Sequence, residues 1–302
     1  MSLTVLIPII LKTSIFLTVL GLGLRASGGE VVSLVRNPSR LARSMVAMTI
    51  IMPTTAVLLA LSFDLHPAVK IALVALSVSP VPPIWPKRAI KTGGDESFTL
   101  GLLVTSAAIS ILFIPIAMAI FERIVGAPLR MSADDIARAV LVTILLPLFL
   151  GITVRQLAPG LAADTAKPLG AIGTVLLAAG AIPLVVKLSP AMVSLVGDGT
   201  LLAMVAFVMV GLAAGHLLAG PAKADRSVLA LACASHHPAI ALAIAQVNFP
   251  GERLVPAAIV LYLLVAAIVV TPYLKWAQRP EGEGRATKPI PTTHAFRVRT
   301  PR

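Results

Sequence analysis

The chain has 302 residues, 57% hydrophobic and 13% charged, with a mean hydropathy of +0.95. That composition excludes an ordinary soluble domain and describes a polytopic helical protein held in a lipid bilayer. The formal net charge of +12 would suit a nucleic acid, but the cations fall in short segments between apolar runs, so no nucleic-acid partner is expected. The single cysteine, Cys233, excludes a disulfide framework and any cysteine-based metal cluster.

Spanning a bilayer takes roughly 20 apolar residues, and runs of that kind are predicted at 3–24, 44–63, 96–121, 135–154, 168–186, 199–218 and 254–276. Residues 3–24 carry Lys12 in their middle and no basic residue before them, which reads as a spanning helix and not a leader. Two further runs, 67–93 and 226–248, are apolar but broken. The first holds SPVPPIWPKR at 79–88, in which Pro80, Pro82, Pro83 and Pro86 cannot share one helix, because each lacks an amide N–H and clashes with the preceding turn. The second holds SHHP at 235–238, within LACASHHPAIALAIAQV at 231–247. This gives one transmembrane domain at 1–276. The remainder, 277–302, is rich in proline, glycine and cations and reads as a disordered tail beside an anionic leaflet.

Lysine and arginine accumulate in cytoplasmic loops. With the N-terminus outside, the inner side receives Arg25, Arg36, Arg40, Arg43, Lys87, Arg88, Lys91, Arg155, Lys167, Lys223, Arg226 and the tail. The expected location is therefore the cell's inner (plasma) membrane, multi-pass, with the C-terminus in the cytoplasm. The order helix, helix, broken helix, helix occurs twice, over about 3–122 and about 168–276, with 135–154 as a spacer helix that inverts the second copy. The predicted fold class is thus an all-α integral membrane protein: an inverted-repeat transporter fold with two crossing discontinuous helices, divided into a core and a smaller panel that includes the first helix.

A broken helix in hydrocarbon leaves main-chain groups that must find partners in protein or in a watery cavity. The candidate lining of a solute or ion site is accordingly Ser79, Pro82, Pro83 and Trp85 at the first break, with Ser235, His236 and His237 at the second. On a regular helix the two imidazoles would point about 100° apart; a break can present both. They are expected to accept protons or contact an anion, or else to cap the two half-helices. Trp85 fills space between helices or borders the solute, and Lys87 and Arg88 read as topology signals. Lys12 is expected to face the interior, where a substrate carboxylate would pair with it, or to snorkel to the outer surface. No nucleophile elbow, phosphate loop or HExxH pair occurs, so the chain is not expected to be an enzyme or to hold a cofactor.

With these elements placed, the chain resembles the bile acid:sodium symporter family. IIMPTTA at 50–56, SP at 79–80 followed by GD at 94–95, GLAAGHLLAG at 211–220 and the AIALA segment at 239–243 match its motifs in order. The resemblance implies a secondary transporter of a small organic anion, with nine helices instead of ten. It also implies sodium sites, yet the positions that match the family's sodium ligands hold Met48, Trp85, Pro86 and Ala232, its glutamine and asparagine become His236 and His237, and only a hydroxyl, at Thr99, remains. Hard cations need oxygen ligands. The coupling ion is then sodium by kinship or a proton by the residues present. A ligand sensor built on the same fold is the alternative, and an intramembrane enzyme a more distant one.

Overall fold

The structure, a computed structural model, describes residues 3–125, 129 and 131–277. The basic tail beyond Ala277 lies outside the described residues. The elements observed are helical throughout, in chain order: α1 (Leu3–Gly23), α2 (Gly28–Val31), α3 (Pro38–Met45), α4 (Met52–Ser62), α5 (Pro67–Val78), α6 (Trp85–Lys91), α7 (Glu96–Val125), α8 (Ala133–Val140), α9 (Leu146–Leu157), α10 (Pro159–Ser194), α11 (Thr200–Leu218), α12 (Lys223–Cys233), α13 (Pro238–Asn248) and α14 (Val255–Ala277). Among the described residues, eight helical stretches are long and apolar enough to cross a membrane, and α5 is a shorter apolar helix. The chain is an all-α integral membrane protein.

Two of the spans owe their shape to a proline two positions after a wide turn. Between α3 and α4 the helix opens into a π segment at Val46–Ile51 before Pro53, and between α8 and α9 it does so at Leu141–Leu145 before Pro147. Proline cannot donate to the carbonyl four residues back, and the wider π turn accommodates the missing bond without ending the helix. In both cases a threonine hydroxyl ties the strained stretch to the preceding turn, Thr49 donating to Met45 O at 2.8 Å and Thr143 to Ala139 O at 2.7 Å.

One span differs from the expectation. Pro168 does not begin the fifth run; α10 starts at Pro159 and runs 36 residues through Pro168, Pro183 and Pro190. A helix-starting proline was the natural boundary to read, but Pro159 already occupies the first turn, where its missing N–H removes nothing.

Packing divides the bundle unevenly. The main apolar core joins α4, α5, α7, α11, α12, α13 and α14, with α8 and the Met192–Leu195 end of α10 packed into it. α1 instead lies along α10 and α9. The approach is close because glycines face it: a Cβ on Gly151 would stand 2.5 Å from Leu20 O, and one on Gly173 would stand 3.0 Å from Ser14 O. Small residues let helix backbones meet in this way in membranes. Ser14 Oγ then donates to Gly173 O at 2.6 Å, binding α1 to α10.

Candidate functional site

The two interrupted spans meet at their breaks. α5 ends where Ser79 turns extended (φ −74°, ψ 145°) ahead of Pro80, as a residue before proline is driven to do. α12 ends at Cys233, and His237 (φ −78°, ψ 103°) precedes Pro238, the first residue of α13. The freed main-chain groups are then shared between the breaks. His237 N–H donates to Pro80 O and to Ser79 Oγ, each at 3.0 Å. Ser79 passes its own hydroxyl proton to Leu76 O at 2.7 Å. On the far side, Tyr262 of α14 donates its hydroxyl to Ala234 O at 3.0 Å. A buried main-chain group without a partner is costly in hydrocarbon, so these bonds are what allow two helices to stop inside the bundle.

α11 sets the position of the second break. A Cβ on Gly211 would stand 2.7 Å from Cys233 O, and one on Gly215 would stand 2.4 Å from both Ala230 Cα and Leu229 O. Only a residue without a side chain admits α12 at that distance. The His236 ring is then stacked on Phe207 of α11, with centroids 5.3 Å apart, and lies 5.9 Å from the Tyr262 ring.

A cavity of about 470 Å³ lies beside the crossing. Pro82, Ile84 and Trp85 border it from the first break, and Ala234, Ser235 and His236 from the second. Lys87, Arg88 and Lys91 of α6 face Thr18 of α1 and Thr174 of α10 across it, while α14 supplies an apolar wall that includes Leu263 and Val270. None of these lining residues is acidic. A larger cavity of about 590 Å³ is formed by α4, α5, α7 and α13 with Asp64, Lys70 and Glu252 on its lining, but no break residue borders it. The smaller cavity is the better candidate, because it alone of the two joins both breaks to the helices packed outside the main core.

The sequence-predicted residues separate accordingly. Pro82, Trp85, Ser235 and His236 border the cavity. Trp85 and His236 are 3% and 4% exposed, and Trp85 Nε1 and His236 Nε2 have no hydrogen-bond partner. Ser79 faces instead a void of about 20 Å³ shared with Met48, Thr49, Ser106 and Ser110, room for a single water. His237 is buried away from the cavity, with both ring nitrogens unpartnered. Pro83 is buried at the first break and does not line the cavity. Thr99 is fully buried in the first turn of α7 and donates to Asp95 O at 2.6 Å. Lys12 requires a correction. It lies exposed on α1 and off the cavity, so the interior placement does not hold. α1 is apolar on every side, and its packing on α10 and α9, not the charge, decides which face turns inward.

The residues that sequence reasoning missed are Lys87, Arg88 and Lys91. Read as loop charges, they lie on α6, a helix of seven residues that the first break lays along the cavity. Lys87 Nζ reaches α10, donating to Thr174 Oγ1 at 2.5 Å and to Gly170 O at 3.2 Å.

In the first turn of α3 another cation is fixed differently. Arg40 pairs with the buried Asp225 of α12 and lies over the Phe98 ring of α7, 3.9 Å from its centroid. This pair ties α3 to α12 and α7 of the main core, and none of its residues lines the cavity.

No curated protein matches the chain. The sequence model described as "Sodium Bile acid symporter family" matches residues 13–194, a stretch that runs from α1 through α10 and includes the first break. With the paired breaks and the motifs that fall on them, the chain belongs to the sodium bile acid symporter family.

Proposed function

We propose that the protein is a secondary transporter that carries a small organic anion across the plasma membrane by alternating access, with the cavity beside the crossing as its solute site. The observation that carries this reading is the cavity lining: three cations from one short helix, no carboxylate, and an apolar wall opposite. An anionic head finds uncompensated positive charge there, and a carbon skeleton finds Leu177, Leu263 and Val270. The repeated order of helix, helix, broken helix, helix supports an inverted repeat, and the packing of α1 along α9 and α10, which meets the core at Leu100 and Val104 of α7, supports a panel that moves against the core. The cations of α3 and α6 favour a cytoplasmic position for that end, with the N-terminus outside.

Sodium is not required by this reading. The side chains at Met48, Trp85, Pro86 and Ala232 offer no hard oxygen, which leaves the single hydroxyl of Thr99, too few ligands for a hard cation. Proteoliposomes of the purified protein, loaded with the same unlabelled acid, are expected to take up one or more of labelled pyruvate, lactate, succinate and taurocholate. Replacing sodium by choline is expected to leave the initial rate unchanged. Uptake no faster than in protein-free vesicles for every acid would overturn the transporter reading, and a rate that collapses in choline would restore sodium as the coupling ion.

A further inference from the structure

Lys87 holds α6 to α10, and the partners it uses are weak ones for an ammonium. Thr174 Oγ1 donates its own proton to Gly170 O at 2.7 Å and accepts from Lys87 Nζ with a lone pair; Gly170 O accepts from both. Both acceptors are neutral. Among the described residues, these are the hydrogen bonds that side chains make between α6 and α10, and they cross the cavity that both residues line. α6 packs on α7 and α12 of the main core, whereas α10 carries α1 and α9. The opposite end of α10, at Met192 and Leu195, is set into the main core. α10 is thus held against α14 and, through Val185, Leu188, Ala191 and Met192, against the main core, and Lys87 adds a hydrogen-bonded tie to α6 at Gly170 and Thr174.

A carboxylate or sulfonate that enters this cavity is a stronger partner for an ammonium than a hydroxyl and a peptide carbonyl, because a bond with charge on both sides is about twice as strong. It would draw Lys87 off α10. We propose that Lys87 is an anion-released latch, so that the loaded carrier moves and the empty one does not, and the protein works as an anion exchanger and not as a net importer. The inference rests on the transporter reading above and adds its mode. Exchange needs no coupling ion: the outgoing anion returns the carrier, which agrees with a crossing that bridges its breaks through His237 N–H.

Two readouts test this. In a Cys233→Ala background, spin labels at Glu96→Cys on α7 and Lys167→Cys on α10 report the separation of the two units without any solute. The distance distribution is expected to be narrow with Lys87 present and to broaden and lengthen with Lys87→Gln; identical distributions overturn the latch. In flux, uptake of labelled pyruvate, lactate, succinate or taurocholate into vesicles loaded with the same acid is expected to exceed uptake into unloaded vesicles by about tenfold, since a hydrogen bond to a charged group is worth roughly that factor. Lys87→Gln is expected to bring the two rates together by raising unloaded uptake relative to loaded. Equal rates in the unsubstituted protein overturn exchange while leaving transport in place. Absence of uptake from loaded and unloaded vesicles alike counts against the transporter reading, and the distance measurement still decides the latch.

Discussion

Replacing His236 with leucine is expected to lower uptake at subsaturating solute by about tenfold, the effect of removing one hydrogen bond of roughly 1–2 kcal/mol from a buried site. The melting temperature of the purified protein should change little. The ring sits between Phe207 and Tyr262, and leucine is close enough in volume to keep that packing. What it cannot keep is the polar edge. One ring nitrogen lies beside the main chain of Ser79 and Cys233, and the other, Nε2, is buried without a partner in a residue that borders the cavity. His236→Gln restores an amide in the same region and should recover part of the rate. Unimpaired uptake by His236→Leu would remove this residue from the site. The neighbouring position should behave differently in the same melting experiment. Both His237 ring nitrogens are unpartnered and shut away, and its contribution to the crossing is a main-chain N–H that leucine also has. An orphaned buried polar group replaced by an apolar one of like shape is neutral or stabilising, so His237→Leu is expected to hold or raise the melting temperature.

Gly215→Val is expected to prevent stable folding. The added Cβ alone would stand 2.4 Å from Ala230 Cα and Leu229 O, both main-chain atoms that cannot rotate away. α12 would have to retreat from α11, taking with it the turn that presents Ala234 through His237 to the first break. Overpacking of this kind costs about 3 kcal/mol or more when the obstacle is backbone. The check is thermal unfolding of the detergent-solubilised protein by size-exclusion chromatography, with Gly160→Ala as the control. A Cβ at Gly160 meets nothing within 4 Å, so that variant should melt at or slightly above the parent. Equal melting of Gly215→Val and the parent would mean that α11 and α12 are not in main-chain contact.

The breaks were legible because proline acts locally. Pro80, Pro82, Pro83 and Pro86 are too closely spaced to share one helix, and Pro238 follows two residues that end one, whereas the isolated Pro168, Pro183 and Pro190 leave α10 unbroken. That the breaks touch required only the order of the elements and the rule that freed main-chain groups seek partners. Pro82, Trp85, Ser235 and His236 follow from the breaks and do border the cavity, but the lining that the uniformly apolar helices supply was not legible, because neither of their faces is marked. Lys12 on α1 shows this: its helix offers no polar stripe to orient it, and the glycine contacts that do so involve residues more than a hundred positions away in α9 and α10. Lys87 shows the converse. A cation after a proline cluster looks like any loop charge, and its role depends on α10 passing alongside α6. His236 and His237 were indistinguishable in sequence, since a break removes the helical phase that would assign them to different faces. Thr99 carried the surviving hydroxyl of the family pattern, and its proton goes to Asp95 O just ahead of its own helix, the usual i−4 acceptor of a threonine in a span.

For solute to pass, the cavity between the crossing and α10 must open and close. The most direct test is uptake by the double variant Ile84→Cys and Leu177→Cys, made in a Cys233→Ala background and bridged across the cavity with a short bis-methanethiosulfonate. Uptake is expected to be lost when the bridge forms and to return when a reductant cleaves it. Full uptake with the bridge shown to be in place by mass spectrometry would contradict the account.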